Sequence, residues 1–175
     1  MPEEVRRITT ETIAAGIPGD HLGIHTHNDT ENAVACSLAA VDAGARQIQG
    51  TLNGLGERCG NANIISLIPS FCLKPLYTEH LKTGVGPSEL RHLTSTSRLL
   101  DELLNRAPNR NQAGVGESAF AHKGGLHVSA VQKDPKTYEH IEPELVGNRR
   151  HVLVSDQAGR SNILARMAEV GIDVD

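Results

Sequence analysis

The sequence predicts an α/β fold that gives way to a mainly helical second half. Two short strand-like runs, residues 20–24 and 46–52, flank a segment whose apolar residues recur at helical spacing. Each run ends in a polar stretch: His25-Thr26-His27-Asn28-Asp29 after the first, and Gly54-Leu55-Gly56-Glu57-Arg58-Cys59-Gly60-Asn61 after the second. Polar groups at strand ends are where α/β enzymes place their chemistry. From about Lys82 the composition shifts and strand-like runs become scarce.

Taken in order, Pro2-Glu3-Glu4 sets proline and acids in the first turn of a helix carrying Val5, Ile8, Thr12 and Ile13, and Gly16 ends it. Ile17-Pro18-Gly19 turns into the first strand. A second helix is expected over 30–43, with Ala33, Val34, Ser37, Leu38 and Val41 on one face, Asn28 or Asp29 as cap and Gly44 as stop. After Asn61 a third helix carries Ile64, Ile65, Leu67, Ile68 and Phe71, and Pro69 predicts a kink or an early end. A parallel sheet of two strands leaves both edges and one face uncovered. A longer chain or a second copy would complete it.

In the second half, residues 84–88 lead into a helix with Leu90, Leu93, Ser97, Leu100 and Leu104 on one stripe, stopped before Pro108. A polar link follows at 109–112. Residues 116–127 crowd ionisable groups beside glycines. Residues 134–138 read as a turn into a short helix, 151–154 as a short strand, and 157–170 as a final helix with Ile163, Leu164, Met167 and Val170 on its apolar face. Neither an internal repeat nor a low-complexity tract is present.

At 175 residues the chain is long enough to bury a core, and with only 2 % aromatics that core must be aliphatic. A net charge of −4, a pI near 6.1 and the lack of any basic run argue against nucleic-acid binding. No run reaches the roughly 18 apolar residues of a membrane span, and the N-terminus shows no signal-peptide apolar core, so a cytoplasmic protein is expected. Three cysteines without CxxC spacing fit reduced thiols. Cys36 and Cys72 read as buried; Cys59, in the glycine-rich loop, can be exposed, and no base pairs with it.

His25 and His27 alternate on an extended segment, so both imidazoles can point at one ion. Surface histidine pairs that bind nothing are equally common on spacing alone; Asp29 and the Glu57-Arg58…Asn61 loop tip the balance. Nitrogen with carbonyl and carboxylate oxygen suits Zn²⁺, Mn²⁺ or Mg²⁺, and such a site can polarise the carbonyl of a 2-keto acid.

These motifs carry a resemblance. Residues 23–29 and 50–61 resemble the alpha-isopropylmalate, homocitrate and citramalate synthase family, TIM-barrel metalloenzymes that condense acetyl-CoA with a 2-keto acid. Ala119-Phe120-Ala121-His122-Lys123-Gly124-Gly125-Leu126-His127, residues 137–147 and Ser155-Asp156-Gln157-Ala158-Gly159-Arg160-Ser161 resemble later landmarks of the same family. The wording after Leu126 and at 153–156 is most similar to the citramalate branch, whose keto acid is pyruvate.

The resemblance implies the C-terminal part of a TIM (β/α)8 barrel, residues 1–80, followed by a mainly helical post-barrel region, 81–175. That region would hold a catalytic histidine segment at 116–138 and a small α/β piece at 141–175. It makes His25, His27 and Asn61 ligands of a divalent metal (Mg, Mn or Zn), with Asn53, Glu57 and Arg58 as cofactor-binding residues and acetyl-CoA as the co-substrate. His127 becomes the acid/base group, reaching the barrel mouth of the neighbouring subunit in a homodimer, with Tyr138 assisting. The plainer readings are a helix-cap histidine, a packed tyrosine and a Glu57–Arg58 ion pair bracing the loop. His122 is a supporting group. Lys123, Arg149 and Arg150 are solvated charges, or contacts for CoA phosphates. The family's metal-ligating aspartate in an Arg-Asp-Gly motif and its early-strand glutamate have no counterpart here, so the chain reads as the middle of a longer synthase, beginning at the sixth barrel helix. By itself it is expected to be inactive, to bind metal weakly and to oligomerise. The alternatives are a 2-isopropylmalate or homocitrate synthase, a carbon–carbon lyase of the same superfamily, or a non-catalytic assembly module.

Overall fold

The computed structural model describes residues 1–153 and 159–172, in two units, Met1–Thr83 and Gly84–Asp175. In the first, helix α1 (Pro2–Ala14) begins and ends where proline, acids and Gly16 place it; Gly16 takes a left-handed φ of 102°. Its buried position is Thr9, flanked by half-buried Val5, Thr12 and Ile13. Ile8, expected on that face, is 49 % exposed, because α1 meets a narrow helix partner that reaches only one stripe of it. The partner is α2 (Ala33–Asp42), which buries Ala33, Cys36, Ser37, Ala39, Ala40 and Val41. More than one stripe is covered because α2 lies between α1 on one side and the sheet and third helix on the other. Small side chains make that sandwich possible.

Strands β1 (Gly23–His25) and β2 (Gln47–Gln49) pair in parallel, with Gly23 opposite Gln47, Ile24 opposite Ile48 and His25 opposite Gln49. Both are shorter than the sequence suggests. Residues 19–21 close into a 3₁₀ turn after Pro18, and Thr51 leaves β2 to bridge Asn63. Ile48 packs on the Ala33–Ala62–Leu67 core, while His25, Gln47 and Gln49 are exposed on the alternate face. Helix α3 (Ile64–Leu73) is capped by the Asn63 side chain, which accepts from Ile65 N at 3.0 Å. Pro69 does not end it early. Pro69 is itself buried, and packing of Ile65 and Leu67 offsets the missing hydrogen bond. A short helix α4 (Pro75–Thr78) follows.

The second unit opens with α5 (Pro87–Leu90) and α6 (Leu93–Leu103), two helices where one was expected. Their buried side is Leu90, Leu93, Thr94, Ser97 and Asp101; Leu104 is 48 % exposed, so the stripe ends earlier than leucine spacing implies. Thr94 Oγ1 donates to Val146 O at 2.6 Å and ties α6 to a 3₁₀ turn at Pro143–Val146. Strand β3 (Ala121–His122), which no sequence pattern announced, pairs in parallel with β4 (His151–Val152). Helix α7 (Gly125–Lys133), a 3₁₀ turn at Pro135–Thr137 and helix α8 (Arg160–Glu169) complete the unit. Val154 and the 155–158 part of the late motif lie outside the described residues. Ile163, Leu164 and Val170, expected as the inner face of α8, are exposed. Asn162 is buried there instead: its Nδ2 donates to Lys123 O and Leu153 O, which spends the inward face of α8 on satisfying backbone carbonyls.

Candidate functional site

At the end of β1 the chain continues extended through residues 25–27, so Thr26 points opposite to its two histidines. Its hydroxyl donates to Ala33 O at 3.0 Å and lies 3.0 Å from Ser37 Oγ, fastening the segment to α2. His25 and His27 therefore share the other face, their ring centroids 5.2 Å apart and edge-to-face. The glycine-rich loop reaches the same face through backbone pairing. His27 and Asn61 form an antiparallel bridge, with Asn28 N donating to Gly60 O at 2.9 Å and Ala62 N to Thr26 O at 3.1 Å. Asn61 is buried, and its Nδ2 stands 3.0 Å from His25 Nε2. Its Oδ1 faces Gly56 so closely that a Cβ there would sit 1.8 Å away. Turning the amide over exchanges Oδ1 and Nδ2 without moving the backbone, and then presents an oxygen lone pair beside the imidazole nitrogen.

The three expected metal ligands are thus brought together: two imidazoles and one amide, nitrogen and oxygen donors of the kind Mg²⁺, Mn²⁺ and Zn²⁺ accept. Among the described residues no three His, Cys, Asp or Glu side chains converge as a metal-binding group. The donors fit a metal as part of a coordination shell. Thr51 Oγ1, just beyond β2, is buried without a hydrogen-bond partner among the described residues.

Around this point the expected loop contacts are redrawn. Arg58 does not pair with Glu57. It reaches Asp29, donating from Nε to Oδ1 at 3.1 Å and from Nη2 to Oδ2 at 2.9 Å. That two-point hydrogen bond holds the Asp29 carboxyl below its ordinary range and raises the guanidinium. Glu57 is exposed, with no salt bridge among the described residues. Arg58 takes a left-handed φ of 56°, which turns its side chain back across the loop. Asn53, also left-handed at φ 55°, is half-buried in the 3₁₀ turn Leu52–Gly54. Asn28 acts as a cap, its Oδ1 accepting from Ala33 N at 3.2 Å. Cys36 is buried and Cys59 exposed; Cys72, expected buried, is only half-covered.

A second cluster forms in the other unit. His127 stands in the first turn of α7 and Tyr138 ends the Pro135–Thr137 turn, their ring centroids 4.4 Å apart. His122, on β3, meets Tyr138 edge-on at 6.5 Å. Behind them lies buried Glu139, which takes His122 Nε2 at 2.8 Å and a two-point hydrogen bond from Arg150. Burial pushes the Glu139 carboxyl up, but the hydrogen bonds from Arg150 and His122 outweigh it, and the group is held below its ordinary range. The Glu139 hydrogen bond raises Arg150 correspondingly. Arg150 is thus a paired group, where solvated charge was expected. Glu139 is the residue that sequence reading missed: its partners lie 17 residues before it and 11 after, and no periodicity links them.

No helix among the described residues is long and apolar enough to cross a membrane. Comparison with known proteins gives two family matches: the family described as HMGL-like over residues 1–96, and the homocitrate synthase post-HMGL domain-like family over residues 115–175. Among curated proteins, the chain is 52 % identical to an (R)-citramalate synthase of a Synechocystis species, over all of this chain and 32 % of that protein. It is 58 % identical to the (R)-citramalate synthase of Geobacter sulfurreducens, over 88 % of this chain and 28 % of that one. A probable 2-isopropylmalate synthase of Methanopyrus kandleri is 41 % identical over 99 % of the chain. The chain spans about a third of the length of the citramalate synthases it matches. A solved structure of an HMG-CoA lyase from Acinetobacter baumannii, in complex with coenzyme A and 3-methylmalate, superposes with a TM-score of 0.50 at 27 % identity, covering 63 % of this chain and 36 % of that one.

Proposed function

The chain belongs to the HMGL-like family, a TIM-barrel family, and from that premise we propose that it supplies part of the metal site and the acid–base segment of a synthase condensing acetyl-CoA with pyruvate to citramalate. The observation that carries this reading is the His27–Asn61 bridge, which sets the amide of one motif 3.0 Å from His25 of the other at a strand end. His25, His27 and Asn61 are the residues that would hold a divalent metal. When bound there, the metal supplies Lewis-acid polarisation of the keto-acid carbonyl.

The remaining chemistry falls to the second unit. An imidazole nitrogen of His127 accepts a proton from the acetyl methyl group, and the methyl carbon then forms a bond to the keto carbon. Tyr138, whose ring lies 4.4 Å from that of His127 between centroids, donates from its hydroxyl to the oxygen on which negative charge develops. Water cleaves the thioester and CoA leaves. In a homodimer His127 serves the barrel mouth of the neighbouring subunit. A lyase reading draws on the likeness to HMG-CoA lyase. The match over 115–175 to a homocitrate synthase domain favours the synthase.

Transplanting the chain into the aligned third of the Geobacter sulfurreducens enzyme tests the reading. The chimera is expected to release CoA with pyruvate, to lose turnover when stripped of metal, and to lose it with His25→Ala or His127→Ala. A folded chimera preferring 2-ketoisovalerate would move the assignment to the isopropylmalate branch; one that cleaves acyl-CoA without condensing would favour the lyase. The 175-residue chain by itself, with three donors, is expected to bind Mn²⁺ or Zn²⁺ more weakly than micromolar by calorimetry. Tight stoichiometric binding abolished by His27→Ala would show that these donors suffice.

A further inference from the structure

We propose that Glu139 and Arg150 are positioning residues that set the geometry of the His127–Tyr138 couple by way of His122. The proposal rests on the reading of His127 and Tyr138 as the acid–base pair. Glu139 is only 7 % exposed. Arg150 donates to it from Nε to Oε1 at 2.8 Å and from Nη2 to Oε2 at 2.5 Å, and His122 Nε2 stands 2.8 Å from Oε1. A carboxylate only accepts, so His122 must donate from Nε2, which fixes the tautomer of its neutral form and the plane of its ring.

Three segments converge to make this contact. His122 lies on β3 and Arg150 immediately before β4, and the strand pairing that sets His122 opposite Val152 brings the two within reach of one carboxylate. Glu139 follows the Pro135–Thr137 turn and its N donates to Pro135 O at 2.9 Å, so anchoring its side chain also anchors Tyr138, the residue before it. The Tyr138 ring then meets both His122, edge-on at 6.5 Å, and His127, at 4.4 Å between centroids. Neither His127 nor Tyr138 has a side-chain hydrogen bond among the described residues, and both are exposed. Exposed rings without polar anchors change rotamer on the picosecond to nanosecond scale. The packed His122 ring is what limits Tyr138.

Stability alone does not account for the arrangement. Burying a charged pair carries a desolvation penalty that a hydrophobic replacement avoids, so a role in fixing geometry is the proposal made for this one. Here the specified geometry is that of a ring in contact with two imidazoles, and the carboxylate responsible touches neither His127 nor a reacting atom.

Imidazole ¹⁵N and ring-proton NMR on the 175-residue chain tests this without any turnover, so a failed acetyl-CoA chemistry leaves the result standing and the reverse also holds. The unmodified chain is expected to show neutral His122 protonated on Nε2 and a ring-to-ring Overhauser effect between His127 and Tyr138. In Glu139→Gln a single acceptor oxygen faces three donors. The ring contact is expected to weaken, while the amide signals of Val128, Val131 and Thr94 stay in place. Arg150→Lys, which keeps the charge and loses the fork, should fall between the two. His122 protonated only on Nδ1 in the unmodified chain overturns the proposal, as does an undiminished ring contact in Glu139→Gln. If Glu139→Gln unfolds the unit, Arg150→Lys decides on the same two signals, and an unchanged spectrum there overturns it.

Discussion

The two units hold their candidate site residues by opposite means. In the first, His25, His27 and Asn61 are placed by backbone: strand pairing, the His27–Asn61 bridge and a loop whose glycines allow main chain to approach main chain. The ion pair beside them, Asp29–Arg58, is exposed on both sides. In the second, Tyr138 meets both His127 and His122, and His122 belongs to a buried charged hub with Glu139 and Arg150, where the two strands are only two residues long. A backbone-held site responds to steric changes at the close approaches that hold it. A charge-held site responds to proton uptake and to the loss of one partner.

The largest effect expected from this contrast is at Gly60. Its φ is +91°, and a Cβ there would stand 2.0 Å from the Gly54 carbonyl oxygen, backbone against backbone. Gly60→Ala should cost about 3–4 kcal/mol from left-handed strain plus the clash and separate Asn61 from His25, followed by urea unfolding and by the His25 ring signals. A cost under about 1 kcal/mol would mean that the loop does not hold the site. Next is Arg150→Ala, which leaves the Glu139 carboxylate buried without its fork and should destabilise the second unit by about 3 kcal/mol. Probes in the first unit should stay unchanged in the same urea titration.

Acid sharpens the contrast further. The folded Glu139 carboxyl is held below its unfolded value, so its contribution is present above the unfolded value, about pH 4.3, and is lost as pH falls through the folded one. Signals of the second unit should therefore weaken in acid before those of the first, and Arg150→Ala should remove that difference. Coincident acid transitions would break the comparison. The smallest effect is at Asp29. Its carboxyl is also held low by Arg58, but the pair is solvent-exposed, and Asp29→Ala should shift the urea midpoint of the first unit only slightly, and less at high salt. A larger loss would show that the loop depends on charge after all.

Helix limits were legible wherever a local signal sets them. Pro2, Gly16 and Gly44 mark the ends of α1 and α2 where the structure has them, and alternation alone put His25 and His27 on one face. The α/β class and the synthase motifs were readable for the same reason, since they are written in short contiguous runs. Burial was less legible. Ile8, Leu104, Ile163 and Leu164 have the spacing of core residues and are exposed, because periodicity tells which side chains share a face and not whether anything covers that face. Strand β3 is two residues long and carries no periodicity at all.

Partner choice belongs to the tertiary structure. Arg58 has Glu57 beside it in sequence and Asp29 beside it in space, and the left-handed turn at Arg58 decides for the residue 29 positions away. Asn61 meets His25 across 36 positions, and Glu139 gathers a histidine and an arginine from two paired strand segments. The sequence by itself made legible several helix limits, the gathering of polar residues at the strand ends and the family, because those depend on interactions within a few residues. Which charges and amides meet depends on loop closure over tens of residues, and that was decided only when the chain folded.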